Sequence, residues 1–128
     1  MASYDVVATR KRINNTREAA IFETTSATTP GGSQGVILDK FQASHYERMS
    51  VQLYNTGGST ATVKVFGSLK EAPGSVGGTD WTQVGDDILV TGNSTALKSI
   101  STTAVRHLGI TAAGSGSSLT AIVYAEQL

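Results

Sequence analysis

The 128-residue chain has no cysteine. That absence removes disulfide scaffolds, thiolate nucleophiles and cysteine-ligated zinc at once. Small exported domains often lean on disulfides, so the expectation is synthesis in a reducing cytoplasm, with stability drawn from the core or from a partner. Charge of one sign is also lacking: ten basic and ten acidic side chains give a formal net charge of zero. A neutral chain has no global attraction for nucleic acid or for an anionic membrane, and any such contact would be local. It also has little colloidal repulsion, which suits a protein that spends its life assembled. No apolar run approaches the ~20 residues that span a bilayer. The start M-A-S-Y-D-V-V-A-T lacks a basic stretch followed by an apolar one, so no signal peptide is expected and the chain reads as soluble, with no membrane partner.

What is present points to strands. Apolar residues at 39% with 16% charged exclude a wholly disordered chain. Abundant Ser and Thr, 14 glycines and only 6% aromatics favour short strands joined by many turns. The length fits one domain, residues 1–128, with a single modest core.

Residues 47–69 organise the rest. Met49, Val51 and Leu53 alternate with Ser50, Gln52 and Tyr54, and Ala61, Val63 and Val65 alternate with Thr62, Lys64 and Phe66. Asn55-Thr56-Gly57-Gly58 lies between them, and two period-two runs around a Gly-rich turn predict a β-hairpin. Further strands are expected over 4–9, 35–41, 81–84, 88–90, 104–112 and 119–125, with Gly114-Ser115-Gly116-Ser117 closing a second hairpin. Residues 19–24 read as a strand in preference to one helical turn, and 95–101 as a strand with an irregularity or a single helical turn. Residues 24–35 have no large apolar side chain and read as an exposed, mobile loop, and 70–80 as a second long loop. About eight short strands with turn signals between them predict an all-β antiparallel sandwich, jelly-roll or Ig-like, with an N-terminal strand and basic arm over 1–18. The last strand and much of 63–66 are apolar at both parities, which calls for central strands or for an outer face covered by another subunit.

Few motifs carry chemistry. Gly31-Gly32-Ser33-Gln34-Gly35 matches the spacing of a nucleophile elbow, yet that device needs a buried strand before the serine and a helix after it. Here Thr28-Thr29-Pro30 precedes it and Val36-Ile37-Leu38 follows, so Ser33 reads as part of a flexible loop. His45 and His107 have no second ligand or base at metal or triad spacing. Asp86-Asp87 lacks the acidic repeat that supplies a calcium ion with its about six to eight oxygens and reads as a turn. The sequons at Asn14 and Asn93 are read as chance matches in a chain with no export signal. No catalytic residue, metal site or cofactor is expected. Two surface readings stand. Arg10, Lys11, Arg12 and Arg17 form either a solvated turn or an arm that grips an acidic protein surface. Without interleaved aromatics they do not read nucleic acid. Trp81, after a Gly-rich loop, is either a core anchor or, with Tyr46 or Tyr54, a platform that stacks on a sugar ring.

The series V-Q-L-Y-N-T-G-G-S-T-A-T-V-K-V-F-G-S, W-T-Q-V, V-R-H-L-G-I-T-A and L-T-A-I-V-Y-A resembles small β-sandwich structural proteins of tailed bacteriophages, particularly capsid decoration (cement) proteins. The resemblance spans residues 51–125. It implies a non-enzymatic virion protein, made in the bacterial cytoplasm and located on the capsid surface. There it would assemble as a homotrimer, bind the shell of major capsid protein and bridge neighbouring capsomers, with the basic arm touching the shell. The alternatives are a carbohydrate- or receptor-binding module and a tail or head–tail connector component.

Overall fold

In a computed structural model, residues 6–12, 18–24, 26–44, 46–100 and 105–127 are described. Ten strands follow one another: β1 (Val6–Arg12), β2 (Glu18–Thr24), β3 (Gly35–Gln42), β4 (Arg48–Asn55), β5 (Ala61–Ser68), β6 (Thr82–Gln83), β7 (Ile88–Val90), β8 (Ser94–Ser99), β9 (His107–Ala113) and β10 (Leu119–Glu126). They form two antiparallel sheets. The first, sheet A, has the order β1-β2-β10-β4-β8. Sheet B has the order β3-β9-β5, with β6 and β7 sharing the far edge of β5, one at Phe66–Gly67 and the other at Ala61–Val63. All ten strands fall on spans expected from the sequence; the round count of about eight is that of the sandwich when β6 and β7 are taken as two short pieces of one edge and β1 as an added border strand.

The order β2-β10-β4-β8 facing β3-β9-β5-β6/β7 is that of a jelly roll, which decides between the two sandwich types expected. It also overturns both hairpins. β4 and β5 lie in different sheets, and so do β9 and β10. Alternation places Val51 and Leu53 in the core and Ala61, Val63 and Val65 in the core, which a hairpin and an arch between sheets satisfy equally. The arch wins because its two apolar faces then cover each other.

That core lies between the sheets. Val51, Leu53, Ala121 and Val123 from sheet A meet Val63, Leu108 and Ile110 from sheet B, all with no exposed surface. Phe22 of β2 stacks on Phe41 of β3 across the gap, with ring centroids 4.3 Å apart, and Tyr46 meets Phe22 edge-on at 6.4 Å. Each buried large side chain stabilises the sandwich by about 1.5–3 kcal/mol relative to exposure, which is how a chain without disulfides can hold the fold.

The two ends of the sandwich differ. One gathers the Gly-rich arches at 56–60, 91–93 and 114–118. At its centre is Asn55, which is 2% exposed. Its Nδ2 donates to the carbonyls of Ser59 at 2.8 Å and Val90 at 3.0 Å, and its Oδ1 accepts from the amides of Gly57 at 3.0 Å and Ser118 at 3.1 Å. One side chain thus ties three arches. A Cβ at Gly57 would run into the carbonyl oxygen of Gly116, so only glycine lets the arches approach this closely. The 24–35 segment is also less free than expected. Thr28 is buried and exchanges two 2.8 Å backbone hydrogen bonds with Leu119, which tie this segment to the start of β10.

Candidate functional site

The opposite end carries the charged loops. Here β5 runs out through Ser68 into the 69–81 loop, and a cleft of about 540 Å3 opens between Gly67, Leu69, Lys70, Asp80, Thr82, Gln83, Val84 and Val105. Its walls are held by the loop's own polar groups. Asp80 accepts from the Gly74 amide at 2.8 Å and pairs with Lys70 at 3.0 Å. Those contacts, the Gly74 amide first and the Lys70 ammonium second, hold the Asp80 carboxyl below its ordinary range. Around the corner, Gln42, Ser44, Glu71, Arg106 and His107 line a shallower polar depression of about 360 Å3. His107 Nδ1 lies 3.2 Å from the Lys70 carbonyl oxygen.

A general base needs a nucleophile or a substrate proton within reach, and the Asp80 carboxylate is occupied by Gly74 and Lys70. Among the described residues, no three His, Asp or Glu side chains converge as metal ligands. Asp87 accepts from Lys64 at 2.9 Å and from Gln83 at 2.6 Å. These two contacts, the lysine first, lower its pKa and make it the pin of the β6–β7 turn. Asp86 is exposed beside it. Ser33 is exposed in a bend, and its neighbour Gln34 bridges sheet B, donating to the Thr62 carbonyl at 3.1 Å and accepting from the Thr111 hydroxyl at 2.7 Å. His45 and Arg17 lie outside the described residues, as does Asn14; Asn93 sits exposed in the turn before β8 at φ 56.

Trp81 does not offer the face that sugar stacking requires. It is 7% exposed, and its indole N–H donates to the Gly74 carbonyl at 3.0 Å. The ring anchors the 69–81 loop, which explains why a tryptophan follows a Gly-rich run. Tyr46 is buried against Phe22, and Tyr54 is half-buried on the far face of sheet A, so neither forms an exposed pair with it. The basic cluster sits in a strand rather than a turn: Arg10, Lys11 and Arg12 end β1, opposite Ala20, Ala19 and Glu18 of β2.

The surfaces outside the two sheets are unequal. On sheet B, β9 is covered by its own chain. Val76, 7% exposed, rests where Gly109 of β9 leaves room; a Cβ there would come within 2.6 Å of it. Gly77 lies against Phe66 and Thr111. This is why every residue from Leu108 to Ala112 is buried. Sheet A has no such cover among the described residues. Register places Ile21, Tyr124, Ser50 and Ser99 in one outward row, and Glu23, Ile122, Gln52 and Leu97 in the next. Thr120, Tyr54 and Thr95 form a third row. Leu97 is 67% exposed and Tyr124 42%. The apolar parity of β10 was the one sequence signal for this face; Gln34, Asn55 and Val76 gave none, because their roles depend on partners distant in the chain.

No protein-family model matches the chain, and no curated protein does. The fold has relatives. The crystal structure of YomS, an SPBc2 prophage-derived protein, superposes with a TM-score of 0.58 at 11% identity, covering 90% of this chain and 99% of YomS. The crystal structure of PirA superposes with a TM-score of 0.52 at 18% identity, covering 90% and 97%. At such identities the likeness is one of fold, and it extends over almost the whole of each chain. No helix among the described residues is long and apolar enough to cross a membrane.

Proposed function

We propose that the chain is a non-enzymatic structural protein of a bacteriophage particle, and within that class a capsid decoration protein that binds the shell and bridges neighbouring capsomers. The observation that carries the reading is the pairing of two features. The jelly roll matches a prophage-derived protein over nearly its full length, and its polar side chains are used to tie loops rather than to build a centre. What the domain has to offer is surface. A border strand ending in Arg10-Lys11-Arg12 suits a partner met by charge, and mass action from that partner adds stability to a modest core.

The test is occupancy. A tagged chain supplied during particle production should band with DNA-filled particles in a density gradient and be visible on the shell by electron microscopy. A chain that stays at the top of the gradient, or bands with tails alone, defeats the decoration reading. Charge reversal at Arg10, Lys11 and Arg12 is the matched variant, since deleting 1–18 would also strip β1 from β2 and expose that edge. Decoration that survives the reversal unchanged removes the basic cluster from the contact.

A further inference from the structure

We infer that the outer face of sheet A is a self-association surface that packs against the same face of a second copy of this chain. The inference rests on the reading of the protein as an assembled structural component. Three observations single out a second copy. The first is the contrast between the faces: the 69–81 loop covers β9 of sheet B, while sheet A presents Ile21, Ile122, Tyr124, Tyr54 and Leu97 outward among Ser, Thr, Gln and Glu side chains. The second is area. Five strands of mostly seven or eight residues make a face about 24 Å by about 25 Å, roughly 600 Å2 before side-chain relief is counted. A stable interface buries about 600–1,000 Å2 on each partner. The third is charge. The Arg48–Glu126 pair, at 2.6 Å, is neutralised within the face, and Glu23 is the other charged side chain in the three outward rows. Across β2, β10, β4 and β8, two copies therefore meet without a like-charge field, while the basic residues Arg10, Lys11 and Arg12 end the sheet's border strand β1.

Geometry favours the same choice. A twisted sheet packs best on a sheet of equal twist, about 10 Å away and with strands aligned within about 30°, and a second copy supplies that twist. The contact is isologous, so a closed pair results. Ile122, on the middle strand of sheet A, lies at its centre, with Leu97 and Tyr124 flanking it.

Light scattering on the full chain, over a dilution series from about 1 mM to about 1 μM, reads the result. The expected outcome is a mass of two chains that falls towards one on dilution. The double variant Leu97→Glu/Tyr124→Glu changes two side chains already exposed in the single chain. Its circular dichroism should match the parent, while the dimer dissociation constant rises at least about a hundredfold, because uncompensated carboxylates would have to be buried. Leu89→Glu, an equally exposed leucine on β7 of sheet B, should leave the dimer intact. A monomer at every concentration overturns the inference, as does a trimer, or an oligomer that Leu89→Glu breaks and the double variant does not. Particle occupancy is read separately. A monomer that decorates shells sinks this surface and spares the function, and a dimer that never joins particles does the reverse.

Discussion

Asn55 occupies the position where the most backbone depends on one side chain. Truncation to alanine leaves the Ser59 and Val90 carbonyls without their donor, and the Gly57 and Ser118 amides without their acceptor. A buried polar group stripped of its partner costs about 1–3 kcal/mol. Water reaches some of the vacated positions, so Asn55→Ala should destabilise by roughly 3–5 kcal/mol, measured as a lower urea midpoint at unchanged m-value. Asp80 makes a different prediction. Its folded pKa lies below the ordinary 3.8, through the Gly74 amide and then Lys70. A carboxylate depressed on folding contributes stability that is fully present above its unfolded pKa, and that contribution disappears as pH falls through the lower folded value. The 69–81 loop should therefore loosen below about pH 3.8, seen as faster proteolysis by an acid-active protease. Asp80→Asn should show the looser loop at neutral pH, with a flatter dependence on acid.

The element that most changes the meaning of its neighbours is the 69–81 loop. It converts the outer side of β9 from a solvent face into a second, smaller core, with Val76 seated over Gly109 and the loop pinned by Trp81 and Asp80. Gly109→Ala places a methyl carbon where Val76 now sits, and overpacking of this kind costs about 1–3 kcal/mol. Val76→Ala alone loses buried area. Combined, the two changes should cost less than the sum of their separate effects, because the shortened side chain makes room for the new methyl; a thermal double-mutant cycle measures the coupling. Strict additivity would show that the loop does not rest on β9 in solution. Loop and strand are far apart in the chain and have no common motif, so this seat was invisible to pattern reading.

For the whole molecule, connectivity governs behaviour. From β2 to β5, and again from β7 to β10, each successive strand crosses to the other sheet. Few native contacts are local, and loop closure must precede the contacts that reward it, so refolding is expected in milliseconds to seconds rather than microseconds. Stopped-flow tryptophan fluorescence of Trp81 would read this, and a microsecond phase carrying the full amplitude would contradict it. The same crossing marks the limit of sequence reading. Period-two alternation determined where the strands lie, which side chains enter the core and that the class is all-β, because strand geometry imposes that period on any half-buried segment. Composition alone ruled out disulfide and thiolate chemistry. Pairing partners were decided only in three dimensions. Val51 and Val63 look the same in a hairpin as in an arch, and the choice belongs to the energy of closing two sheets over one core. So too with the surfaces. Burial of Trp81, the strand setting of Arg10-Lys11-Arg12 and the outer face of sheet A, uncovered among the described residues, follow from which distant segments fold over which sheet, and no local pattern encodes that.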